Sequence, residues 1–179
     1  MRSIVAARVK LHPMDLYLVR HGVAFKSDPT RWPDDRERPL TPDGTKRFRR
    51  AARGLAKVAP TVDVVLSSPW LRAWSTAELL SKAANWPTPQ ACDALQGGRA
   101  PAEVLQALQA FDERGAVALV GHEPNLHELA SYLLTAEAGH AAIEFRKGGV
   151  ALLEIQDGLR PGSARLRWLL QPKMLRALA

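Results

Sequence analysis

Four side chains in this sequence have the types needed to bind and attack an oxyanion, and each follows a short apolar run. They are Arg20, His21, Arg72 and His122. A guanidinium donates two parallel hydrogen bonds to the oxygens of a phosphate, and a neutral imidazole offers a nitrogen nucleophile. Brought together, these side chains would form an oxyanion pocket in which a phosphoryl group can be transferred to a histidine.

The apolar runs that precede these side chains have the character of buried strands. They lie within Leu16–Gly22, Val62–Pro69 and Ala116–His122. Each run is rich in residues that favour strands and ends at a glycine or a proline. Ligands of open α/β sheets bind just outside the carboxyl ends of parallel strands. If the three strands are parallel, the four side chains meet at one edge of the sheet and form a single site.

Helical patterns alternate with these strands along the chain. The predicted helices cover residues 42–58, 70–83, 101–111 and 125–134. This alternation is typical of a largely parallel sheet covered on both faces. Two further strands, over residues 149–155 and 165–170, are joined by turn residues and predict a hairpin. We therefore expect an α/β fold, a three-layer α/β/α sandwich with a mostly parallel central sheet and an antiparallel C-terminal edge.

Length and composition narrow the class of protein. A chain of 179 residues with 46% hydrophobic and 24% charged residues is typical of one globular domain. We place that domain at residues 15–179, behind a flexible leader over residues 1–14. The leader lacks the long apolar core of a signal peptide, and no apolar run is long enough to span a membrane. Because Cys92 is the sole cysteine, no internal disulfide is possible, and we expect a cytoplasmic protein.

The net charge of +7 favours anionic substrates or partners. The basic residues are scattered along the chain and no nucleic-acid-binding motif includes them, so nucleic acid is not the expected partner. No cluster of carboxylates and histidines has the spacing of metal ligands, and no metal or other cofactor is expected. The sequence makes no prediction about the oligomeric state.

Three further residues are candidates for binding the substrate. Gly22 leaves the backbone free to bend and to approach an anion closely. Ser67 lies at the end of the second strand, where its hydroxyl could support the arginines. Arg38 could reach the pocket from the loop before the first helix, or it could pair with Glu37 or Asp35; the sequence leaves these two alternatives open.

Taken together, the motifs resemble the histidine phosphatase superfamily, which also contains the phosphoglycerate mutases. The motifs are Leu18-Val19-Arg20-His21-Gly22, Ser67-Ser68-Pro69 with Arg72, and Val120-Gly121-His122-Glu123-Pro124. The short length looks like the SixA-type phosphohistidine phosphatase branch, as do Arg38-Pro39-Leu40-Thr41 with Gly44 and Phe145–Ala151. The resemblance implies a phosphoglycerate mutase-like fold. It also implies that His21 is the nucleophile and that Arg20, Arg72 and His122 bind the phosphoryl group.

The sequence departs from the superfamily at the general acid that protonates the leaving oxygen. By resemblance the acid position falls near Ala94, and Asp93 is one residue away. Asp93 is therefore a possible general acid. A weak or missing acid matters most for leaving groups of high pKa, whereas the leaving nitrogen of a phosphohistidine can be protonated before the bond breaks. The departure is consistent with a phosphohistidine substrate.

The favoured function is hydrolysis of a phosphorylated substrate, protein phosphohistidine above others, through a covalent phosphohistidine intermediate on His21. One alternative is a phosphomonoesterase for a small phosphorylated metabolite, with Asp93 as the acid. Another is a non-catalytic module that binds phosphate or polyanions in the same pocket. The second alternative leaves His21 unexplained, because a binding pocket needs cations but no nucleophile.

Overall fold

Six strands form one sheet in the computed structural model, which describes residues 13–179. The strands are β1 Met14–Arg20, β2 Val64–Ser67, β3 Gln90–Ala91, β4 Ala116–Gly121, β5 Val150–Ile155 and β6 Ala164–Leu170. Their order across the sheet is β3-β2-β4-β1-β5-β6. The pairs β1–β4, β2–β4 and β2–β3 are parallel, and β5 is antiparallel to both β1 and β6. The predicted sheet, parallel with an antiparallel C-terminal edge, is confirmed.

Five helices cover the two faces of the sheet. They are α1 Pro42–Leu55, α2 Leu71–Ala84, α3 Pro101–Leu108, α4 Asn125–Thr135 and α5 Pro172–Leu178. Side chains of α1, α2 and α5 pack with Tyr17 and Val19 on one face, and side chains of α3 and α4 pack with Leu16 and Leu18 on the other. Successive strand residues point to opposite faces, so a strand covered on both sides is apolar throughout. The three predicted layers are confirmed.

The first strand begins slightly earlier than the sequence predicts. Met14, which we assigned to the end of the leader, is the first residue of β1, pairs with Ile155 and is fully buried. The rest of the predicted leader, residues 1–12, lies outside the described residues.

Two predicted helices are shorter in the structure. The helix α1 ends at Leu55, three residues before Val58, which is 41% exposed and follows Leu55 in a turn. The helix α3 ends at Leu108 and continues to Phe111 as a 3₁₀ turn. Apolar periodicity continues through both ends, so it does not show where the α-helical hydrogen bonds stop.

Candidate active site

The carboxyl ends of β1, β2 and β4 lie level with one another, which brings the two histidines together. The amide of His21 donates to the carbonyl of Gly121 over 3.1 Å, and the amide of Ser68 donates to the carbonyl of Val120 over 2.9 Å. The ring centroids of His21 and His122 are 5.2 Å apart. Because these contacts are made by backbone atoms at the strand ends, the sheet itself fixes the separation of the two rings.

Arg72 joins the histidines from the first turn of α2. Its guanidinium lies 4.7 Å from the ring centroid of Trp70, and that indole lies 4.7 Å from the ring of His122. The side chain of Arg72 is 5% exposed, so its charge acts on the histidines through little water. The structure thus gathers His21, Arg72 and His122 around one point.

A backbone carbonyl sets the orientation of the His21 ring. The Nδ1 atom lies 2.7 Å from the carbonyl oxygen of Gly22, and a carbonyl only accepts, so Nδ1 carries the proton. In the neutral ring Nε2 then holds the lone pair, and it has no hydrogen-bond partner among the described residues. Burial lowers the pKa of His21 to about 3, with Arg72, Arg20 and Lys147 acting in the same direction. His21 is therefore a neutral imidazole at physiological pH, as a nitrogen nucleophile must be.

His122 contacts a hydroxyl of the second strand end. Its Nε2 lies 2.9 Å from Oγ of Ser68, while its Nδ1 is buried with no partner in the part of the chain that the structure describes. Burial is the largest cause that lowers the pKa of His122, followed by the neighbouring His21 and Arg72. A buried ring nitrogen without a partner has a hydrogen-bonding capacity that a bound ligand can satisfy.

Arg72 is bonded to a carboxylate from a loop. Its Nη1 donates to the backbone carbonyl of Asp35 over 2.8 Å, and its Nη2 lies 3.0 Å from Oδ2 of the same residue. Its Nε is buried without a partner among the described residues. The Asp35 side chain is 43% exposed, so the buried guanidinium has a counter-charge at the pocket rim.

Arg20 directly precedes His21 and is held by a backbone carbonyl from a later loop. Its Nη1 donates to the carbonyl of Phe145, and its Nε is buried and unpartnered within the described chain. Burial lowers the pKa of Arg20, and the nearby carboxylate of Glu123 opposes this shift without cancelling it. Burial in turn raises the pKa of Glu123. Arg20 remains charged, since guanidinium does not deprotonate in proteins.

Arg38 adopts the second of its two predicted alternatives, because it pairs with Asp35. Its Nε lies 2.7 Å from Oδ1 of Asp35, its Nη2 donates to Oδ2 over 3.3 Å, and its Nη1 donates to the carbonyl of Phe25 over 2.6 Å. Its charge also lowers the pKa of Arg72 and of His122. Arg38 therefore lies beside the pocket with its guanidinium committed to the loop.

Ser67 and Gly22 contribute differently from what the sequence suggests. The hydroxyl of Ser67 is buried and donates to the carbonyl of Ser68 over 3.0 Å, and it is Ser68 that contacts His122. Gly22 does not have the positive φ seen at other glycines. Its carbonyl orients His21, and its amide donates over 3.0 Å to Thr76, so its peptide group matters more than its flexibility.

Asp93 does not join the cluster. Its side chain is exposed and lines a surface groove with Ala94 and Arg99. The carboxylate accepts a hydrogen bond from the side-chain Nε2 of Gln96 over 2.8 Å. The resemblance placed an acid near this position, but the 3₁₀ turn Asp93–Leu95 buries Leu95 and leaves the carboxylate on the outside.

Lys147 is a cation of the site that the sequence did not assign. It precedes Gly148, whose amide donates to the carbonyls of both Arg20 and His21, over 3.1 and 3.0 Å. Besides burial, the charges of Arg20, Arg38 and Arg72 lower the pKa of Lys147. In the sequence, Lys147 belongs only to a motif that carries the family resemblance, because a lysine in a glycine-rich turn has no chemical signal by itself.

Asp35, Ser68, Trp70 and Thr76 were likewise not predicted to belong to the site. Ser68 and Trp70 had a usable signal, since they stand beside Ser67 and Arg72 at the second strand end. Thr76 follows Arg72 by four residues, one helical turn, and its hydroxyl donates to the carbonyl of Arg72 over 2.7 Å. For Asp35 the sequence contains no such signal, because its loop has no periodicity that predicts its conformation.

The site and the fold identify the class of protein. The sequence model of the histidine phosphatase superfamily (branch 1) matches residues 16–97, and an uncharacterized protein of Picosynechococcus is 36% identical over 160 residues, covering 86% of this chain and 89% of that protein. The chain belongs to the histidine phosphatase superfamily.

Solved structures place the chain more narrowly, in the SixA-like branch. The tungstate complex of the protein histidine phosphatase SixA is 25% identical, has a TM-score of 0.77, and the match covers 89% of this chain and 98% of that one. A putative phosphohistidine phosphatase SixA from Nakamurella multipartitia shares the fold, with a TM-score of 0.74 at 24% identity over 89% of this chain and 96% of that one. The family and these neighbours support phosphatase activity.

Residues 13–179 hold neither a cluster of metal ligands nor a membrane-spanning helix. No group of three or more histidine, cysteine or acidic residues there has the arrangement of a metal site. Within the same residues, no helix has the length and apolar character needed to cross a membrane.

Proposed function

We propose that this protein is a metal-independent phosphatase that hydrolyses its substrate through a covalent phosphohistidine on His21. The observation that carries the proposal is the state of this one ring. The carbonyl of Gly22 accepts from Nδ1 over 2.7 Å, which leaves the lone pair on Nε2, and burial among cations keeps the ring neutral. A site for phosphate binding alone gains nothing from an oriented, unprotonated imidazole.

The first step is an in-line attack. The lone pair of His21 Nε2 forms the P–N bond as the bond from phosphorus to the leaving atom breaks, and the leaving atom keeps the electron pair and takes up a proton. The imidazole becomes a cation while it carries the phosphoryl group, and the carbonyl of Gly22 stabilises its Nδ1–H.

In the second step, water attacks the phosphoenzyme. The P–N bond breaks, its electron pair returns to Nε2, and the protons of the water pass to the phosphate and the solvent. Orthophosphate and neutral His21 result, so the cycle closes without a cofactor.

The cations around His21 have the charge that the transferring group requires. Phosphoryl transfer depends on positioning and on stabilising charge at the equatorial oxygens. Arg20 and Arg72 each hold a buried Nε without a partner in the described chain, and His122 holds such an Nδ1. We assign these three side chains to the phosphoryl oxygens, with Lys147 adding positive potential from the rim.

The substrate that best fits this chemistry is a protein phosphohistidine. A nitrogen leaving group can be protonated by solvent, and the carboxylate predicted as an acid, Asp93, is exposed and bonded to Gln96 away from the cluster. Hydrolysis of an alkyl phosphate depends on a positioned general acid more strongly than hydrolysis of a phosphoramidate does. A small phosphorylated metabolite is the competing substrate class.

The test measures phosphate release from a histidine-phosphorylated carrier protein and from a phosphoserine peptide. Wild type, His21→Ala and His140→Ala are compared, the last because His140 is exposed and paired with Glu137. We expect wild type and His140→Ala, but not His21→Ala, to release phosphate from the histidine-phosphorylated carrier protein. The same two proteins should form an acid-labile phosphoenzyme. Release that survives in His21→Ala would refute the nucleophile. Preference for phosphoserine or for a small phosphomonoester would keep the chemistry and replace the substrate class, and saturable phosphate binding without turnover would favour a binding module.

A further inference from the structure

The loop before α1 places a carboxylate on the arginine assigned to the phosphoryl group. Both terminal nitrogens of Arg72 are bonded to Asp35, one through the backbone carbonyl at 2.8 Å and one through the carboxylate at 3.0 Å. These nitrogens form the fork with which an arginine binds two oxygens of a phosphate. One arm of this fork is thus paired with an anionic side chain of the protein itself.

The two side chains of this ion pair differ in solvent exposure, and the difference allows another anion to take the place of Asp35. The side chain of Arg72 is 5% exposed, whereas that of Asp35 is 43% exposed. A buried guanidinium needs a counter-charge, but the carboxylate that supplies it already contacts solvent and can leave Arg72 without being stranded in the protein interior.

Asp35 also has a second partner that does not depend on Arg72. Arg38 holds it through Nε at 2.7 Å and through Nη2 at 3.3 Å, and the amide of Arg38 donates to the backbone carbonyl of Asp35 over 3.3 Å. If the carboxylate gives up Arg72, Arg38 keeps it paired beside the pocket.

From this arrangement we propose that Asp35 is a positioning residue that sets the affinity of the site for oxyanions: it neutralises Arg72 in the free enzyme, and the incoming phosphoryl group replaces it there while Arg38 retains it. The inference rests on the proposed function, since it takes Arg72 as a ligand of the phosphoryl group. Its consequence is that the site binds anions more weakly than its cations alone would allow, which favours release of the orthophosphate product.

The experiment uses tungstate, a tetrahedral dianion that cannot be hydrolysed, and measures its dissociation constant by calorimetry. In Asp35→Asn we expect tungstate to bind about tenfold more tightly, which is the size of one charge-assisted hydrogen bond no longer in competition. We expect Asp35→Glu to stay close to wild type, because it restores the competing charge. The KM for substrate should fall in Asp35→Asn by more than kcat changes.

Asp34→Asn is the matched control. It removes the same charge from the adjacent position, but Asp34 pairs with the exposed Arg36 at 2.7 Å and not with Arg72. We expect its tungstate affinity to equal that of wild type. Equal affinity in Asp35→Asn and Asp34→Asn would overturn the proposal, and weaker binding in Asp35→Asn would show that Asp35 only supports Arg72.

A measurement on the wild type keeps the test independent of how the variants fold. The side-chain carboxyl ¹³C resonance of Asp35 should move as tungstate saturates the site, while that of Asp34 stays in place. A stationary Asp35 resonance at saturation would also overturn the proposal. If tungstate binds neither wild type nor variants, the phosphoryl site itself fails, and with it the proposed function; if it binds all of them equally, only the role of Asp35 fails.

Discussion

The two sides of the pocket are built in different ways. The side that holds His21, the proposed nucleophile, is the edge of a sheet, where His21 and Ser68 are fixed by backbone hydrogen bonds to Gly121 and Val120. The opposite side is the loop of residues 25–39, which contacts Arg72 through the carboxylate and the backbone carbonyl of Asp35 and holds that carboxylate with Arg38. Backbone contacts inside a sheet cannot rearrange without breaking the strand ladder, whereas an ion pair at a solvent-exposed rim can exchange partners. Under the proposed function, the edge of the sheet carries the chemistry and the loop adjusts the access of anions to it.

The largest expected effect comes from the edge side. In Arg72→Ala, kcat/KM should fall by about 10²–10³-fold, the usual loss when one preorganised donor to a transition-state oxyanion is removed. The control is Arg47→Ala, which removes an arginine of α1 that is 59% exposed and pairs with Asp43. An equal loss in the two variants would mean that general positive charge, rather than the pocket, drives the rate.

The second prediction concerns pH and the buried, neutral His21. Its pKa is about 3 in the folded protein and about 6.5 when unfolded. Between these values only the unfolded chain binds the proton, so stability falls as pH decreases below about 7 and does not depend on this group above it. The loss due to His21 should reach about 2 kcal/mol at pH 5.

Urea unfolding of wild type, His21→Asn and His140→Asn at pH 8 and pH 5 checks this prediction. The free energy of unfolding should fall less in His21→Asn than in wild type, and His140→Asn should follow wild type because His140 is exposed. The same pH dependence in all three proteins would contradict a buried neutral nucleophile.

The smallest effect is expected on the loop side. In Arg38→Ala, KM should change about threefold and kcat should stay near wild type, because this guanidinium is committed to the loop through Asp35 and the carbonyl of Phe25. Steady-state kinetics on the same substrate as for Arg72→Ala gives the direct comparison. A loss of kcat as large as that of Arg72→Ala would mean that the loop takes part in the chemistry and would remove the distinction between the two sides.

The difference between the sheet edge and the loop also explains which features of the site the sequence could predict. Strand ends are visible in a sequence, because an apolar run such as Leu16–Val19 stops abruptly at Arg20, and parallel strands of similar length align such stops at one edge. Hence five of the six strands, the antiparallel C-terminal edge and the meeting of His21 with His122 could be foreseen, whereas the two-residue strand β3 was predicted as part of a loop. The same reasoning could not decide between Ser67 and Ser68, because which of two adjacent hydroxyls faces His122 depends on how the chain turns after the strand.

The loop side could not be predicted for a physical reason. Residues 25–39 contain prolines and charges without periodicity, so their conformation follows from tertiary contacts such as Arg38 with the carbonyl of Phe25. The choice of Asp35 over Glu37 as partner of Arg38 was open for this reason. The position of Asp93 outside the cluster was unpredictable for a similar reason, because a 3₁₀ turn of three residues decides which way its carboxylate points.

The hydrogen bonds from Gly148 to the carbonyls of Arg20 and His21 link the order of synthesis to activity. Of the six described strands, β1 is the first to leave the ribosome, yet its two neighbours in the sheet, β4 and β5, are encoded about 100 and 130 residues later. His21, the proposed nucleophile, is therefore made early but has no fixed surroundings until most of the chain has been translated. A nascent or truncated chain that ends before residue 148 lacks this support of His21, so we expect the proposed phosphatase activity only after synthesis has passed that residue.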